Sequence, residues 1–241
     1  MLCGGLGTRL GDLTRELPKP LIPVAGRPFL AYVLDQLMTV PLDEIVLAVS
    51  FQWQKVQAEI GDRWRNVKVS YSVEQAPLGT GGAIKRAMQQ AGAGEALVAN
   101  GDTLLRLNPD DLLSFARSRD ADIAIALKVT DYSARFGKVT VDSSGRIVAF
   151  EEKGTGARGL INSGVYYVRG KVFAHIQTPA FSFEKDILVQ RHGDLGIYGM
   201  ATDAYFIDMG VPEDLARARL ELPTILDAPV SVDGMVRVGE S

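Results

Sequence analysis

Met1-Leu2-Cys3-Gly4-Gly5-Leu6-Gly7-Thr8-Arg9 opens the chain. Its order is that of a strand running into a glycine loop that ends on a hydroxyl and a guanidinium. Glycines let backbone N–H groups approach phosphate oxygens closely. Arg9 can fork onto such oxygens, and Lys19, in Pro18-Lys19-Pro20, adds a point charge. The spacing is not that of a P-loop, because no Gly-Lys-Ser/Thr follows, nor of a dinucleotide loop, because Leu10 stands at the third glycine. On the residues alone, the loop is either a phosphate cradle or a flexible turn with a solvated arginine. Only Met1, Leu2 and Cys3 precede it, whereas a strand usually has about five or six residues. Further apolar residues ahead of Met1 are therefore expected.

Outward from the loop, apolar runs alternate with helical patterns. Residues 44–50, 66–73, 96–100 and 122–129 read as strands. Pro28 opens a helix over 29–38, Gly79 or Thr80 precedes one over 82–91, and Asn108-Pro109-Asp110-Asp111 starts another. This alternation predicts a βαβ-type sheet. Residues 138–142, 146–152 and 160–169 read as short strands, with a turn at Asp142-Ser143-Ser144-Gly145. Helices are expected over 182–191 and from Pro212 to about Leu222, and residues 223–241 form a tail without pattern.

The 241 residues are 46% apolar and 23% charged, enough for one well-packed domain. A net charge of −3 without a basic stripe argues against nucleic-acid binding. Cys3 is the sole cysteine, and His175 and His192 are the only histidines, so neither a disulfide nor a Cys/His metal site is expected. No apolar run approaches the roughly 18 residues of a membrane span. A cytoplasmic protein without membrane partners is the expectation.

Five further places carry polar groups suited to a ligand. Glu74-Gln75-Ala76-Pro77-Leu78-Gly79-Thr80-Gly81-Gly82 joins a strand end to a helix start, where backbone groups either read a base edge or form an ordinary junction. Gly101-Asp102 closes an apolar strand, at the crevice where open α/β sheets bind ligands. Such a pair is also a common self-capping turn. Phe150-Glu151-Glu152-Lys153 and Asn162-Ser163-Gly164 lie on the short strands, and Phe206-Ile207-Asp208-Met209-Gly210 lies near the end.

Taken together and in order, these motifs resemble the signature of the sugar-1-phosphate nucleotidyltransferase family, over roughly residues 3–220. The resemblance implies a Rossmann-like, mixed but mostly parallel central sheet flanked by helices, with a small β-rich sugar-binding part. It implies one domain over 1–222, with nucleotide binding in about 1–130 and sugar binding in about 131–210. Gly4, Gly5, Gly7, Thr8, Arg9, Lys19, Glu74, Pro77, Gly79, Thr80, Gly101 and Asp102 would bind the nucleotide. Gly137, Glu152, Lys153, Asn162 and Ser163 would bind the sugar phosphate. Asp102 and Asp208 would hold Mg²⁺, and Arg9, Lys19, Asp102, Lys153 and Asp208 would carry the transfer. Pro77–Lys85 and Phe181-Ser182-Phe183-Glu184-Lys185-Asp186 look most like the D-glycero-D-manno-heptose 1-phosphate guanylyltransferase group, implying GTP and a heptose 1-phosphate. The alternatives are mannose 1-phosphate with GTP, or another sugar 1-phosphate with UTP or dTTP. A silent nucleotide-sugar-binding regulator and a dinucleotide oxidoreductase are the readings from other classes. A homodimer stays open.

Overall fold

In a computed structural model, residues 1–5, 11, 13–131, 137–151 and 158–227 are described. The first elements are small: α1 (Leu13–Glu16), a 3-10 turn at Lys19–Leu21, and a ribbon of β1 (Pro23–Val24) and β2 (Arg27–Pro28). Next come α2 (Phe29–Leu37), β3 (Glu44–Val49), α3 (Trp53–Ile60), β4 (Arg63–Trp64) and β5 (Val67–Val73). They are followed by α4 (Gly79–Ala91), β6 (Glu95–Ala99), β7 (Thr103–Leu105), α5 (Pro109–Ser118) and β8 (Ile123–Thr130). The rest comprises β9 (Lys138–Val141), β10 (Ile147–Glu151), β11 (Gly159–Arg169), a π-helix at Phe183–Val189, β12 (Ile197–Thr202), β13 (Phe206–Asp208) and α6 (Pro212–Asp227).

Met1–Cys3 is threaded between β3 and β6. Leu2 bridges Ala48 and Asn100 in parallel. Leu2 N–H donates to Ala99 at 2.9 Å and Cys3 N–H to Ala48 at 2.8 Å. The central row therefore runs β5, β3, Met1–Cys3, β6, β11, β8, β12. Within it, β11 alone is antiparallel to its neighbours. The mixed, mostly parallel sheet expected from the sequence is the one observed. Its strands are rich in buried Ile, Val, Leu and Ala, as strands covered on both faces require. The β9–β10 hairpin pairs with the start of β11, forming the expected β-rich extension.

The sequence reading missed α3 and β12, along with the short α1, β1, β2, β4, β7 and β13, and ended α6 early. Trp53, Val56 and Ile60 recur at helical spacing in α3, but only Val56 and Ile60 are buried, so its apolar stripe is thin. β12 sits in parallel register beside β8, although Gly196 and Gly199 break its sequence pattern. A side chain at Gly199 would meet Leu127 Cδ1 at 2.3 Å, so close packing explains that glycine. α6 continues through Pro223 to Asp227, beyond the expected end at Leu222. Proline removes one helical hydrogen bond there, and Arg106 reaches across to donate to the carbonyl of Ile225 in the following turn.

Candidate active site

Three residues from distant parts of the chain meet at the carboxyl end of β6. Asp102 stands three residues past the end of that strand. Asp208 ends β13, which pairs antiparallel with β7 and places Asp208 opposite Thr103. Met209 N–H donates to the Asp102 carbonyl at 3.0 Å, clamping the two segments together. Lys19 enters from the 3-10 turn, held between Pro18 and Pro20. Its ammonium lies 2.5 Å from Asp102 Oδ2 and 3.9 Å from Asp208 Oδ1.

Lys19 is only 8% exposed. A buried lysine ammonium is costly unless paired, and the two carboxylates supply that pairing. Burial first, and the neighbouring Asp102 second, push the Asp208 carboxyl above the usual range, against the pull of Lys19. The cluster is two oxygen-donor acids sharing one cation, open enough at Asp102 (33% side-chain exposure) to meet a ligand. Such a set suits a hard dication, which takes one or two protein carboxylates and completes its shell with phosphate oxygens and water. Among the described residues no group of three or more His, Cys, Asp or Glu gathers to hold an ion unaided.

The residues at the loop's edge are locally explained. Ser50 Oγ donates to the Gly4 carbonyl at 2.7 Å. Gly101 N–H donates to Leu2 at 2.8 Å, and a Cβ on Gly101 would lie 2.8 Å from Cys3 Sγ. A side chain there would press on the strand that carries the loop. Gly7, Thr8 and Arg9 lie outside the described residues, as do Glu152 and Lys153.

The run expected to read a base is tied to the segment before the π-helix. Glu74 Oε2 accepts from Leu78 N–H at 3.0 Å, fixing the turn. Pro77 is exposed on it. Gly79 has φ +67°, and a Cβ there would lie 2.5 Å from the Phe181 carbonyl. Gly81 N–H donates to that same carbonyl at 3.0 Å, and the Thr80 hydroxyl accepts from Phe183 N–H at 2.9 Å. A Cβ on Gly81 would be 2.2 Å from the Phe181 ring, and one on Gly82 2.2 Å from the Pro179 carbonyl. These glycines thus have a packing role that the sequence did not reveal.

On the sugar side, Asn162 and Ser163 face opposite ways, as neighbours on a strand must. Asn162 is part-exposed; its Oδ1 accepts from Gly164 N–H at 3.0 Å and its Nδ2 donates to Glu184 Oε1 at 3.3 Å. Ser163 is 1% exposed and its hydroxyl donates to the Ala126 carbonyl at 2.7 Å. Its side chain is turned into the core, away from the part-exposed Asn162. Gly137 lies against β10, where a Cβ would approach the Glu151 carbonyl to 2.9 Å. Glu184, not singled out by its chemistry, stands exposed beside Asn162. The acid following Ser182, the π-helix cap, was the available signal.

Residues 1–224 match the family model described as nucleotidyl transferase. The chain is 38% identical over 223 residues to the D-glycero-alpha-D-manno-heptose 1-phosphate guanylyltransferase of Aneurinibacillus thermoaerophilus, covering 92% of this chain and 96% of that protein. It is similar to the crystal structure of HddC from Yersinia pseudotuberculosis, with 34% identity, a TM-score of 0.82, and coverage of 92% of this chain and 97% of that one. The structure of HddC complexed with GMP-PN superposes with a TM-score of 0.80, again at 34% identity and over 92% and 97% of the two chains.

Proposed function

The chain belongs to the nucleotidyl transferase family, and from that premise we propose that it transfers GMP from GTP to a sugar 1-phosphate, releasing pyrophosphate. D-glycero-D-manno-heptose 1-phosphate is the sugar we assign. The carrying observation is the meeting of Lys19, Asp102 and Asp208 at the carboxyl end of β6, beside the loop that begins at Gly4. The likeness to a heptose 1-phosphate guanylyltransferase and to a GMP-PN complex supports guanine and heptose.

In this reading a sugar-phosphate oxygen attacks the α-phosphorus while the bond to the pyrophosphate oxygen breaks. A phosphate monoester is already a nucleophile, so no general base is needed. Catalysis is positioning plus neutralisation of charge. Asp102 and Asp208 would hold a divalent cation, which we take to be Mg²⁺; bound there, it supplies positive charge to phosphate oxygens. Lys19 neutralises the nucleotide's phosphates, with Arg9 as its partner. Lys153 holds the incoming phosphate, and Asn162 with Glu152 orients the sugar. Residues of about 1–130 thus serve the nucleotide and those of about 131–210 the sugar.

A pyrophosphate-release matrix tests this: five nucleoside triphosphates against heptose, mannose, glucose and N-acetylmuramate 1-phosphates, with Mg²⁺. The greatest kcat/KM is expected for GTP with heptose 1-phosphate. Turnover led by UTP or dTTP overturns the guanylyl assignment, and turnover led by mannose 1-phosphate overturns the heptose. No release in any well leaves the silent regulator as the better reading.

A further inference from the structure

Glu184 stands in the first turn of the π-helix, exposed to solvent yet firmly placed. Ser182 caps that helix in both directions. Its hydroxyl accepts from Lys185 N–H at 3.1 Å, and its own N–H donates to Asp186 Oδ2 at 2.7 Å. Phe183 is buried; its N–H donates to the Thr80 hydroxyl at 2.9 Å, and its ring meets Tyr166 edge-on at 5.3 Å. The residues on either side of Glu184 are thus tied down, and short π-helical turns of this kind recur at functional sites.

The same residue faces the Asp102 turn. Asn162, which donates from Nδ2 to Glu184 Oε1 at 3.3 Å, begins the stretch where β11 shifts register against β8. Within that stretch the Gly164 carbonyl accepts from Asn100 N–H at 2.9 Å, and the Ser163 carbonyl accepts from the Thr103 hydroxyl at 3.2 Å. Asn100 and Thr103 lie on either side of Asp102. Burial chiefly, then the charge of Glu184, push the buried Tyr166 hydroxyl above its ordinary range, and Asp102 adds to the push. One hydroxyl therefore feels both carboxylates.

Among the described residues Glu184 has no lysine or arginine partner, and its Oε2 accepts no hydrogen bond. An ionised carboxylate only accepts, and it repels phosphate. What it can take at this place is a neutral donor. We infer that Glu184 is a further sugar-contacting residue of the transfer proposed above, on which this role rests: Oε2 accepts from a ring hydroxyl of the sugar while Asn162 holds Oε1. A sugar that lacks that hydroxyl, or turns it away, leaves the carboxylate unpaired, so Glu184 also discriminates among sugars.

The test uses the nucleotide pair that leads the pyrophosphate-release matrix, GDP and GDP-D-glycero-D-manno-heptose in the proposed function, titrated calorimetrically into the parent, Glu184→Ala and Glu184→Gln. The parent is expected to prefer the nucleotide sugar to GDP. Glu184→Ala should reduce that preference by about tenfold or more, the scale of a hydrogen bond to a charged group, and leave GDP affinity unchanged. Glu184→Gln, which keeps an acceptor oxygen, should fall between the two. Pyrophosphate release with sugar 1-phosphates lacking one hydroxyl at a time separates contact from mere support. The analogue without the contacted hydroxyl should be used equally by the parent and Glu184→Ala, and the others should show the full loss. An undiminished preference in Glu184→Ala, or an equal loss across every analogue, overturns the assignment. A parent that binds neither probe and releases no pyrophosphate removes the proposed function and this role with it. A parent that releases pyrophosphate while Glu184→Ala keeps its preference removes this role alone.

Discussion

Lys19 and Asp102 stand 83 residues apart in the chain and 2.5 Å apart at Nζ and Oδ2. The pair ties together two segments of the proposed nucleotide site, the Pro18-Lys19-Pro20 turn and the end of β6. Asp208 completes it from a third segment.

Asp102→Asn should lower kcat by about 10²-fold or more, the scale of losing one element of preorganised charge stabilisation. Lys19 keeps Asp208 and the amide oxygen of the substituted side chain as partners, so Tm should change little. Steady-state pyrophosphate release and thermal melting, run on the same preparation, check both halves. Full activity would remove Asp102 from the reaction.

Gly81→Ala should force the Phe181 ring aside, because the new methyl would stand 2.2 Å from it. Overpacking of this kind costs roughly 1–3 kcal/mol. Phe181→Ala opens the space that the methyl needs. The double variant should therefore be less destabilised than the sum of the two single variants, which a denaturant-melt cycle measures. Strict additivity would show that the ring and the glycine do not constrain one another.

Cys3 is buried, and that burial pushes its thiol up to about 12. Because the thiolate is the reactive species, the native protein should react with a thiol-specific chromogenic disulfide at pH 8 far more slowly than the protein in denaturant. Comparable rates in the two states would mean that the strand beneath the loop opens readily.

Glu95 accepts from Tyr167 Oη at 2.6 Å and from Arg117 at 2.8 Å. These bonds hold its carboxyl below the usual range, Tyr167 contributing most. A depressed folded pKa means that the stabilisation is present above the unfolded value of about 4.3 and is lost as pH falls through the folded value. Glu95→Gln should therefore lower Tm at pH 7, with the gap to the parent closing as pH falls below about 4. A gap that stays constant across that range would assign the loss to packing.

Much of the fold was legible because burial on both faces of a parallel sheet writes continuous apolar runs at Ile45–Val49 and Ile123–Leu127, and because Asn108-Pro109 marks a helix start. β12 was not legible, since Gly199 within it answers to packing against Leu127 that no local pattern encodes. The order of Lys19, Asp102 and Asp208 along the chain was readable as motifs. Their distances were not, because a side chain's position depends on three separate backbone segments being brought to one strand end.

By itself, then, the sequence determined which charged and glycine-rich motifs this protein offers, and the sheet that would carry them. The tertiary structure alone decided which of their side chains are buried in the core and which stay part-exposed. Ser163 and Asn162 are neighbours in one motif, yet strand alternation sends the first into the core against Ala126 and leaves the second beside Glu184. It decided also that Gly81 and Gly82 are small because Phe181 and Pro179 lie against them. Contacts between residues a hundred positions apart are set by the packing of whole elements, and local sequence carries no record of them.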